Sequence, residues 1–339
     1  MTLGTPLNNN KNIPHMDPLT QGAAGALAAQ TVSPHKKARL AAVVGFVAGG
    51  AADLDVFIQS EANPLLGLTL HRHFTHSFVF IPLGAFFVAL GFWGLARWLK
   101  KPLSFGQLYL FSLLGFATHG LLDAATAYGT VLGWPFTNAR FAWDWIAIID
   151  PLLTLPILAL IAAACWRRNV NYARAGLIYA LFYFTVLAGH HYATRQVYLT
   201  DIPPTAQQTA RVMPALFRPF SYRGIYRHEG FIYISTLKAP LLGDVKVHHH
   251  GRVRLVTPTD VQALPDFDNH LSKQFRKYQW FADGFVGHYS EHPFIIADYR
   301  YGDFGNPLSP LWGITLDAHG HTFRPVSLRG KHLRPEESD

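Results

Sequence analysis

Five long apolar stretches occupy most of the first 195 residues, and they limit what this chain can fold into. They cover residues 39–58, 78–99, 105–125, 146–166 and 173–192. Each is close to the ~20 residues that an α-helix needs to cross the hydrocarbon core of a bilayer. A sixth stretch, 22–32, is shorter and rich in small residues, and we interpret it as a short or re-entrant helix. These stretches predict an α-helical multi-pass membrane domain with five to six helices.

The distribution of Lys and Arg predicts the orientation of these helices. Basic residues concentrate before the first long stretch, between the second and third, and between the fourth and fifth. They are Lys36, Lys37, Arg39, Arg97, Lys100, Lys101, Arg167, Arg168 and Arg174. Because basic loops stay in the cytoplasm, the chain after residue 192 should leave the membrane on the opposite side. The net charge of +8 is largely explained by this topology, so we expect a lipid bilayer and no nucleic acid as partner.

The remainder of the chain has a different pattern. Residues 195–339 predict an extracytoplasmic α+β domain, whereas residues 16–194 form the membrane domain. Short segments rich in β-branched and aromatic residues predict strands at 231–237, 245–255, 294–301, 311–317 and 321–326, and apolar residues at helical spacing predict a helix over 269–282. Residues 1–15 are polar and lack the apolar core of a signal peptide. They predict a disordered N-terminal extension.

Four groups of Asp and His residues lie at helix ends on the predicted outer side of the membrane. They are Asp53 with Asp55, His71 with His73 and His76, His119 with Asp123, and Asp144 with Asp150. Ionisable groups at the membrane edge are costly, and they therefore indicate a functional site. Imidazole and carboxylate groups together are typical ligands of zinc, manganese and iron.

The first three groups predict the metal ligands. His119 and Asp123 are four residues apart, so they share one face of a helix; a simple hydrogen bond between helices is the alternative interpretation. His73 is a candidate for contact with a substrate or with a ligand. The metal ligand candidates are Asp53, Asp55, His71, His76, His119 and Asp123. They would hold one or two divalent cations, with zinc as the first choice and manganese or iron as alternatives.

Three further residues are candidates for catalytic roles. Asp150 precedes Pro151, which is also ordinary chemistry for the start of a helix, and both interpretations are equally supported. Asp144 is flanked by two tryptophans and either contributes to the site or faces water at the membrane surface. Arg72 has a guanidinium group that can hold a phosphate through two hydrogen bonds.

Seven segments, taken together, resemble the YdjM and YbcI-like family of membrane-bound metal-dependent hydrolases. They are MDPLTQ at 16–21, ADLD at 52–55, HRHFTHS at 71–77, HGLLD at 119–123, YGT at 128–130, WPF at 134–136 and IDPL at 149–152. The resemblance implies a prokaryotic inner-membrane protein with phospholipase-like hydrolase activity. Many members have His where this chain has Gln21, and an amide is a poor zinc ligand. We therefore expect Gln21 to support a metal ligand from behind.

The sequence thus predicts a hydrolase that acts on an ester or phosphoester in a lipid or lipid-linked substrate at the outer face of the membrane. Two non-enzymatic alternatives are a scaffold, in which the metal joins helices, and a transporter-like protein. A transporter would place its coupling groups near the middle of the membrane.

Overall fold

The computed structural model describes residues 17–329, except residues 61, 217, 219, 292, 304 and 318. The predicted N-terminal extension, 1–15, lies outside this range. The α-helices are α1 Pro18–Thr31, α2 Ala38–Gly50, α3 Leu66–Leu70, α4 Ile81–Trp98, α5 Phe105–Ala124, α6 Pro151–Arg167, α7 Asn171–Thr200, α8 Pro258–Gln262 and α9 Asn269–Phe281. The strands are β1 Arg211–Pro214, β2 Ser221–His228, β3 Phe231–Lys238, β4 Lys246–Arg254, β5 Val286–Ser290, β6 Ile295–Asp298, β7 Trp312–Leu316 and β8 Phe323–Ser327.

The helices up to Thr200 form a membrane domain, as predicted. Four helical segments of the described chain are long and apolar enough to cross a bilayer: His35–Phe57, Ile81–Trp98, Phe105–Ala124 and Asn171–Asp201. The first of these includes α2 and the 3-10 helix Ala51–Phe57 that continues from it. Many apolar side chains of these helices are exposed on the protein surface, as lipid contact requires.

Helix α1 is the short helix expected near residues 22–32, although it begins earlier, at Pro18. Asp17 caps it by accepting a hydrogen bond from the Leu19 amide at 3.1 Å, and Pro18 suits the first helical position. The helix packs against α2, α5, α6 and α7, and most of its side chains are buried. Its 14 residues span about 21 Å, so α1 is a central packing helix and is too short to cross the membrane.

Glycines allow α1, α2 and α5 to approach until their backbones touch. A Cβ atom built at Gly25 would lie 2.3 Å from the Gly45 carbonyl oxygen, and one built at Gly115 would lie 2.6 Å from the same oxygen. Such distances leave no room for any side chain. Small residues at helix interfaces are a general means of close packing in membranes, because lipid supplies no hydrophobic force between helices.

Helix α6 departs from the sequence-based expectation. The predicted stretch began at residue 146, but the helix begins at Pro151 and has 17 residues. Asp150 ends the preceding irregular segment because its side chain caps the amides of Leu152 and Leu153 at 2.9 and 3.2 Å. Before the cap, Ile146 forms an isolated β-bridge with Thr126. The apolar residues of this segment therefore pack inside the protein and do not extend the helix.

The second domain contains two antiparallel four-stranded sheets, with strand orders β1-β2-β3-β4 and β5-β6-β7-β8. The predicted strands correspond to β3, β4, β6, β7 and β8, and the predicted helix is α9. We did not predict β1, β2, β5 or α8, which are short or carry Gly and charged residues between their apolar positions. Helix α7 continues to Thr200, so the predicted boundary at residue 195 falls inside a helix that leads directly into this domain.

The second domain packs on two connections between membrane helices. Leu65 and Leu68 on one connection and Tyr128 on the other share an apolar core with Phe275 and Phe281 of α9. In addition, Arg211 of β1 makes two hydrogen bonds with Asp144, at 2.6 and 3.2 Å. The domain is thereby fixed to the same end of the helix bundle at which the Asp and His motifs lie.

The glycine contact gives a first testable prediction. Gly45→Ala should lower the melting temperature of the purified protein in detergent, since the new methyl group would lie 2.4 Å from the Gly25 carbonyl oxygen. Forced overpacking of this kind costs about 1–3 kcal/mol. Gly91→Ala in α4 is the matched control, because a Cβ atom there meets no atom within 4 Å. Equal melting temperatures for both variants would contradict the close helix contact.

Candidate metal centre

Four side chains converge at the end of the helix bundle that contacts the second domain. Asp53 lies on the 3-10 helix after α2, His76 on the 3-10 turn Phe74–His76 before α4, and His119 and Asp123 on the last turns of α5. His76 Nε2 is 2.9 Å from His119 Nε2, 3.3 Å from Asp53 Oδ1 and 3.2 Å from Asp123 Oδ2. His119 Nε2 is 3.2 Å from Asp53 Oδ1 and 3.5 Å from Asp123 Oδ2.

These distances have the dimensions of a tetrahedral metal site. A regular tetrahedron with edges of about 3.2 Å has its centre about 2.0 Å from each corner, which is the usual zinc–nitrogen and zinc–oxygen distance. Two nitrogen and two oxygen donors around one point suit zinc and also manganese or iron. The cluster Asp53, His76, His119 and Asp123 can therefore hold a metal ion, and we call it the metal centre.

Hydrogen bonds orient both imidazole rings toward this centre. His119 Nδ1 lies 2.6 Å from the Gly49 carbonyl oxygen, which can only accept, so Nδ1 carries the proton. The Thr75 hydroxyl donates to Asp55 Oδ2 at 2.6 Å and lies 2.9 Å from His76 Nδ1. Since its one proton is used, the Thr75 hydroxyl accepts from His76 Nδ1. When both rings are neutral, as metal binding requires, both Nε2 atoms therefore present lone pairs to the centre.

Two opposed lone pairs 2.9 Å apart repel each other unless a positive charge lies between them. The surroundings reinforce this requirement, because the carboxylates Asp53, Asp55 and Asp123 are opposed by one guanidinium, that of Arg72. Burial by itself lowers the pKa of the His76 imidazole, but the neighbouring carboxylates of Asp123 and Asp53 outweigh burial and raise this pKa to about 9. The site strongly favours a cation.

Asp123 is held in place from behind. Gln21 of α1 donates to its Oδ1 atom at 2.8 Å, and the Arg72 guanidinium lies 3.3 Å from the same oxygen. The other oxygen, Oδ2, is buried and accepts no hydrogen bond of good geometry from the described residues. A buried carboxylate oxygen that faces two imidazoles and lacks a hydrogen-bond partner has a lone pair available for a metal ion. Gln21 has the supporting position that we expected.

Asp55 and His71, both predicted as ligands, lie beside the metal centre. Asp55 accepts from His71 Nδ1 at 2.7 Å, from the Thr75 hydroxyl and from the Arg72 amide at 3.3 Å. These bonds occupy most of its acceptor capacity, so in this structure Asp55 chiefly orients the segment that carries His76. With Asp53, the two residues also form a second group close enough to hold an ion. Their direct ligation stays a prediction.

The position of Arg72 differs from the expected one. A phosphate contact requires an open surface, and Arg72 does not face one. Its side chain is 1% exposed, and its guanidinium lies over the Tyr128 ring at 4.6 Å. One nitrogen donates to the Thr126 hydroxyl at 3.2 Å and another pairs with Asp123. The residue has a left-handed backbone, with φ of 65°. In this structure Arg72 positions a ligand of the metal centre.

The structure does not bring Asp144 and Asp150 into the metal centre. Asp144 is paired with Arg211 of the second domain, and Asp150 caps α6 while accepting a hydrogen bond from the Tyr183 hydroxyl at 2.9 Å. For Asp150, the cap interpretation accounts for the observed contacts. Both carboxylates have satisfied structural partners, and these partners are the physical reason why they are not drawn to the cluster.

Sequence reasoning missed two groups that orient the ligands. The Thr75 hydroxyl, which links His76 to Asp55, was not among the predicted site residues. Its position beside His76 was the available signal. The Gly49 carbonyl is a backbone group, so no side chain in the sequence indicated its contact with His119.

Comparison with known proteins identifies the membrane domain. The sequence pattern of the YdjM inner membrane protein family matches residues 16–194, slightly more than half of the chain. The chain belongs to this family. It is also similar to the inner membrane protein YbcI of Escherichia coli (strain K12), with 35% identity over 83 residues, which cover 23% of this chain and 43% of YbcI. No solved structure matches the chain.

The YdjM match includes every residue of the metal centre, together with Gln21, Arg72 and Thr75. The second domain, by contrast, lies outside it. The resemblance recognised in the sequence is therefore confirmed as membership of an inner membrane family, and the metal centre belongs to the part of the chain that the family shares.

The geometry predicts which substitutions remove the metal. His119→Ala should abolish metal binding, whereas Gln21→Ala should weaken it by about 10- to 100-fold because it removes a support of Asp123. Asp150→Asn is the control: asparagine also caps helices, so metal content should not change. Elemental analysis and chelator competition on the purified variants measure these effects. Retention of metal by His119→Ala would rule out the proposed geometry.

Proposed function

We propose that this protein is a metal-dependent hydrolase that cleaves an ester or phosphoester bond in a lipid or lipid-linked substrate at the outer face of the cytoplasmic membrane. The observation that carries the proposal is the unequal burial of the metal centre. The side chains of His76, His119 and Asp123 are fully buried, whereas that of Asp53 is 21% exposed. Catalytic metal sites keep one position open for water or substrate, and displacement of the partly exposed Asp53 carboxylate from the ion by water would provide that position.

The buried residues His76, His119 and Asp123 would hold the ion, with zinc as the first choice and manganese or iron as alternatives. When bound, the ion would lower the pKa of a water molecule and polarise the scissile oxygen. The hydrogen bonds of Gly49 and Thr75 keep the imidazole lone pairs directed at the ion. Gln21 and Arg72 keep Asp123 ionised and in place.

Asp53 is the candidate for proton transfer. Its Oδ1 atom faces the two imidazoles, and its partial exposure lets the other carboxylate oxygen reach a water molecule that enters from outside. A carboxylate in this position can accept the proton of an attacking water and later deliver it to the leaving oxygen. General base and acid catalysis of this kind typically contributes about 10²- to 10⁴-fold to the rate.

The surface beside Asp53 supports a lipid substrate. Leu54 and Phe57, on the same 3-10 helix, are 62% and 78% exposed, and Phe78 at the start of the next helical segment is 52% exposed. Exposed apolar side chains at the end of a spanning helix lie naturally among lipid chains and headgroups. A substrate in the membrane would therefore reach the accessible corner of the centre without crossing a polar surface.

A structural role for the metal is the second candidate, and the same cluster supports it. Four protein ligands can form a closed shell, which is typical of zinc sites that stabilise folds. The ligands come from three separate segments of the chain, so an ion would join the end of α2, the turn before α4 and the end of α5. In that case metal binding would contribute to folding and would leave no position for a substrate.

Paired measurements on Asp53→Asn distinguish the two functions. For a hydrolase, this substitution should reduce hydrolysis of a phospholipid or ester panel by about 10²-fold or more while metal content and melting temperature stay close to those of the wild type. For a structural site, the melting temperature should fall and chelation should reproduce the fall. Asp244→Asn, at an exposed position of the second domain, is the control. A metal-loaded wild type that hydrolyses nothing would refute the enzyme.

The orientation of the protein is a further prediction. Reporter fusions after Lys101 and Arg168 should be cytoplasmic, and fusions after Asp201 should be outside, because basic loops are retained in the cytoplasm. The second domain and the metal centre lie at the same end of the bundle, so one measurement locates both. A cytoplasmic signal from the Asp201 fusion would place the proposed reaction on the inner face of the membrane.

A further inference from the structure

A polar cavity lies between the second domain and the connection that comes after α5. Its volume is about 190 Å³, far more than the roughly 10–15 Å³ that one water molecule needs. The residues that line it are Tyr128, Arg140, Ala142, Arg211, Trp280, Asp283 and Arg300. Three guanidinium groups and one carboxylate therefore face the same small space, and we call it the arginine cavity.

Two of the three arginines have carboxylate partners. Arg300 makes hydrogen bonds of 2.7 to 3.2 Å with both oxygens of Asp298. Arg211 is held by Asp144 and lies 3.2 Å from Asp283. Asp144, Asp283 and Asp298 therefore balance the charges of Arg211 and Arg300, so these two arginines add little net positive charge to the cavity.

Arg140 is the arginine without a carboxylate partner among the described residues. It donates to the carbonyl oxygens of Tyr128 and Gly129, at 2.7 and 3.0 Å, and both bonds leave from Nη2. Its guanidinium lies over the rings of Trp280, Phe281 and Tyr128, at 5.0, 5.3 and 5.8 Å. The aromatic rings fix its plane, and the Nε and Nη1 donors remain for a ligand.

The electrostatic environment of Arg140 agrees with this description. Burial and the nearby Arg300 guanidinium lower the pKa of Arg140 to about 10, which means that its positive charge is poorly compensated where it lies. Even a partly buried charge is costly without a partner of opposite charge, and an anion in the cavity would reduce that cost. Planar guanidinium groups bind phosphate and carboxylate through two parallel hydrogen bonds.

We propose that the arginine cavity is a binding site for a phosphate group, with Arg140 as its principal ligand and with Arg211 and Arg300 in the same lining. The phosphate comes either from a lipid headgroup or from free inorganic phosphate. The site does not depend on hydrolysis at the metal centre. The cavity and the metal centre are connected through Tyr128. The ring of Tyr128 contacts the guanidinium of Arg140 and also that of Arg72, which is the partner of Asp123.

The test is titration calorimetry of the full-length protein in detergent with inorganic phosphate, using sodium chloride at equal ionic strength as the reference. The wild type should bind phosphate saturably. Arg140→Gln should weaken binding by about 10- to 100-fold, the usual loss for a charged hydrogen bond. Asp283→Asn should strengthen binding, since it removes the carboxylate from the lining. Asparagine tolerates the left-handed backbone at this position, where φ is 53°.

Two controls make the result specific. Arg252→Gln, an exposed arginine on β4, should bind phosphate like the wild type. His119→Ala should retain phosphate binding in the cavity, which separates this proposal from the hydrolase proposal. The site is refuted if phosphate behaves like chloride, or if Arg140→Gln or Asp283→Asn binds phosphate as the wild type does. If Arg140→Gln does not fold, the gain expected for Asp283→Asn decides.

A second titration identifies the source of the phosphate. Dihexanoyl phosphatidic acid, a water-soluble phospholipid, should bind at least tenfold more tightly than inorganic phosphate if the cavity takes a lipid headgroup. Equal affinities would assign the cavity to free phosphate. In both cases Arg140→Gln should weaken the interaction, and phospholipid binding that is insensitive to Arg140→Gln would take place elsewhere and would refute the lipid assignment.

Discussion

The backbone contact of α1, α2 and α5 is the constraint on which the metal centre depends. At Gly25, Gly45 and Gly115 these helices are so close that no side chain fits between them. This closeness brings the Gly49 carbonyl to His119 and the amide of Gln21 to Asp123. A larger separation would leave both ligands without their supports. The positions of the small residues in these three helices therefore determine which groups support the metal ligands at the helix ends.

The metal centre also shows how buried charge is managed at a membrane edge. Each of the three buried ligands is oriented by a neutral or positive group: a carbonyl for His119, a hydroxyl for His76, and an amide with a guanidinium for Asp123. These partners cancel part of the charge but leave a negative excess at one point. An uncompensated charge costs free energy in such surroundings. The same packing that orients the ligands therefore also makes binding of a cation favourable.

Features that depend on local chemistry were largely predictable from the sequence. Hydropathy located the membrane helices, and the spacing of His119 and Asp123 placed two donors on one helix face. The sequence left Asp150 open between a helix cap and a site residue, since the Tyr183 hydroxyl that binds it lies far away in the chain. Arg72 was similarly ambiguous because its burial depends on Tyr128, far away in the chain. Strands β1 and β2 are stabilised by their pairing and have little apolar periodicity of their own.

The second domain is attached to the bundle through the Asp144–Arg211 pair and a shared apolar core. A buried pair of this kind is costly to separate, so the domain is a fixed cover over that end of the bundle. The accessible corner at Asp53 is instead bordered by Leu54 and Phe57, which face outward from the helices. Under the proposed function, a lipid substrate that passes these side chains would travel within the plane of the leaflet. Its rate of encounter is then set by its mole fraction among the lipids and by lateral diffusion, and is independent of its concentration in water.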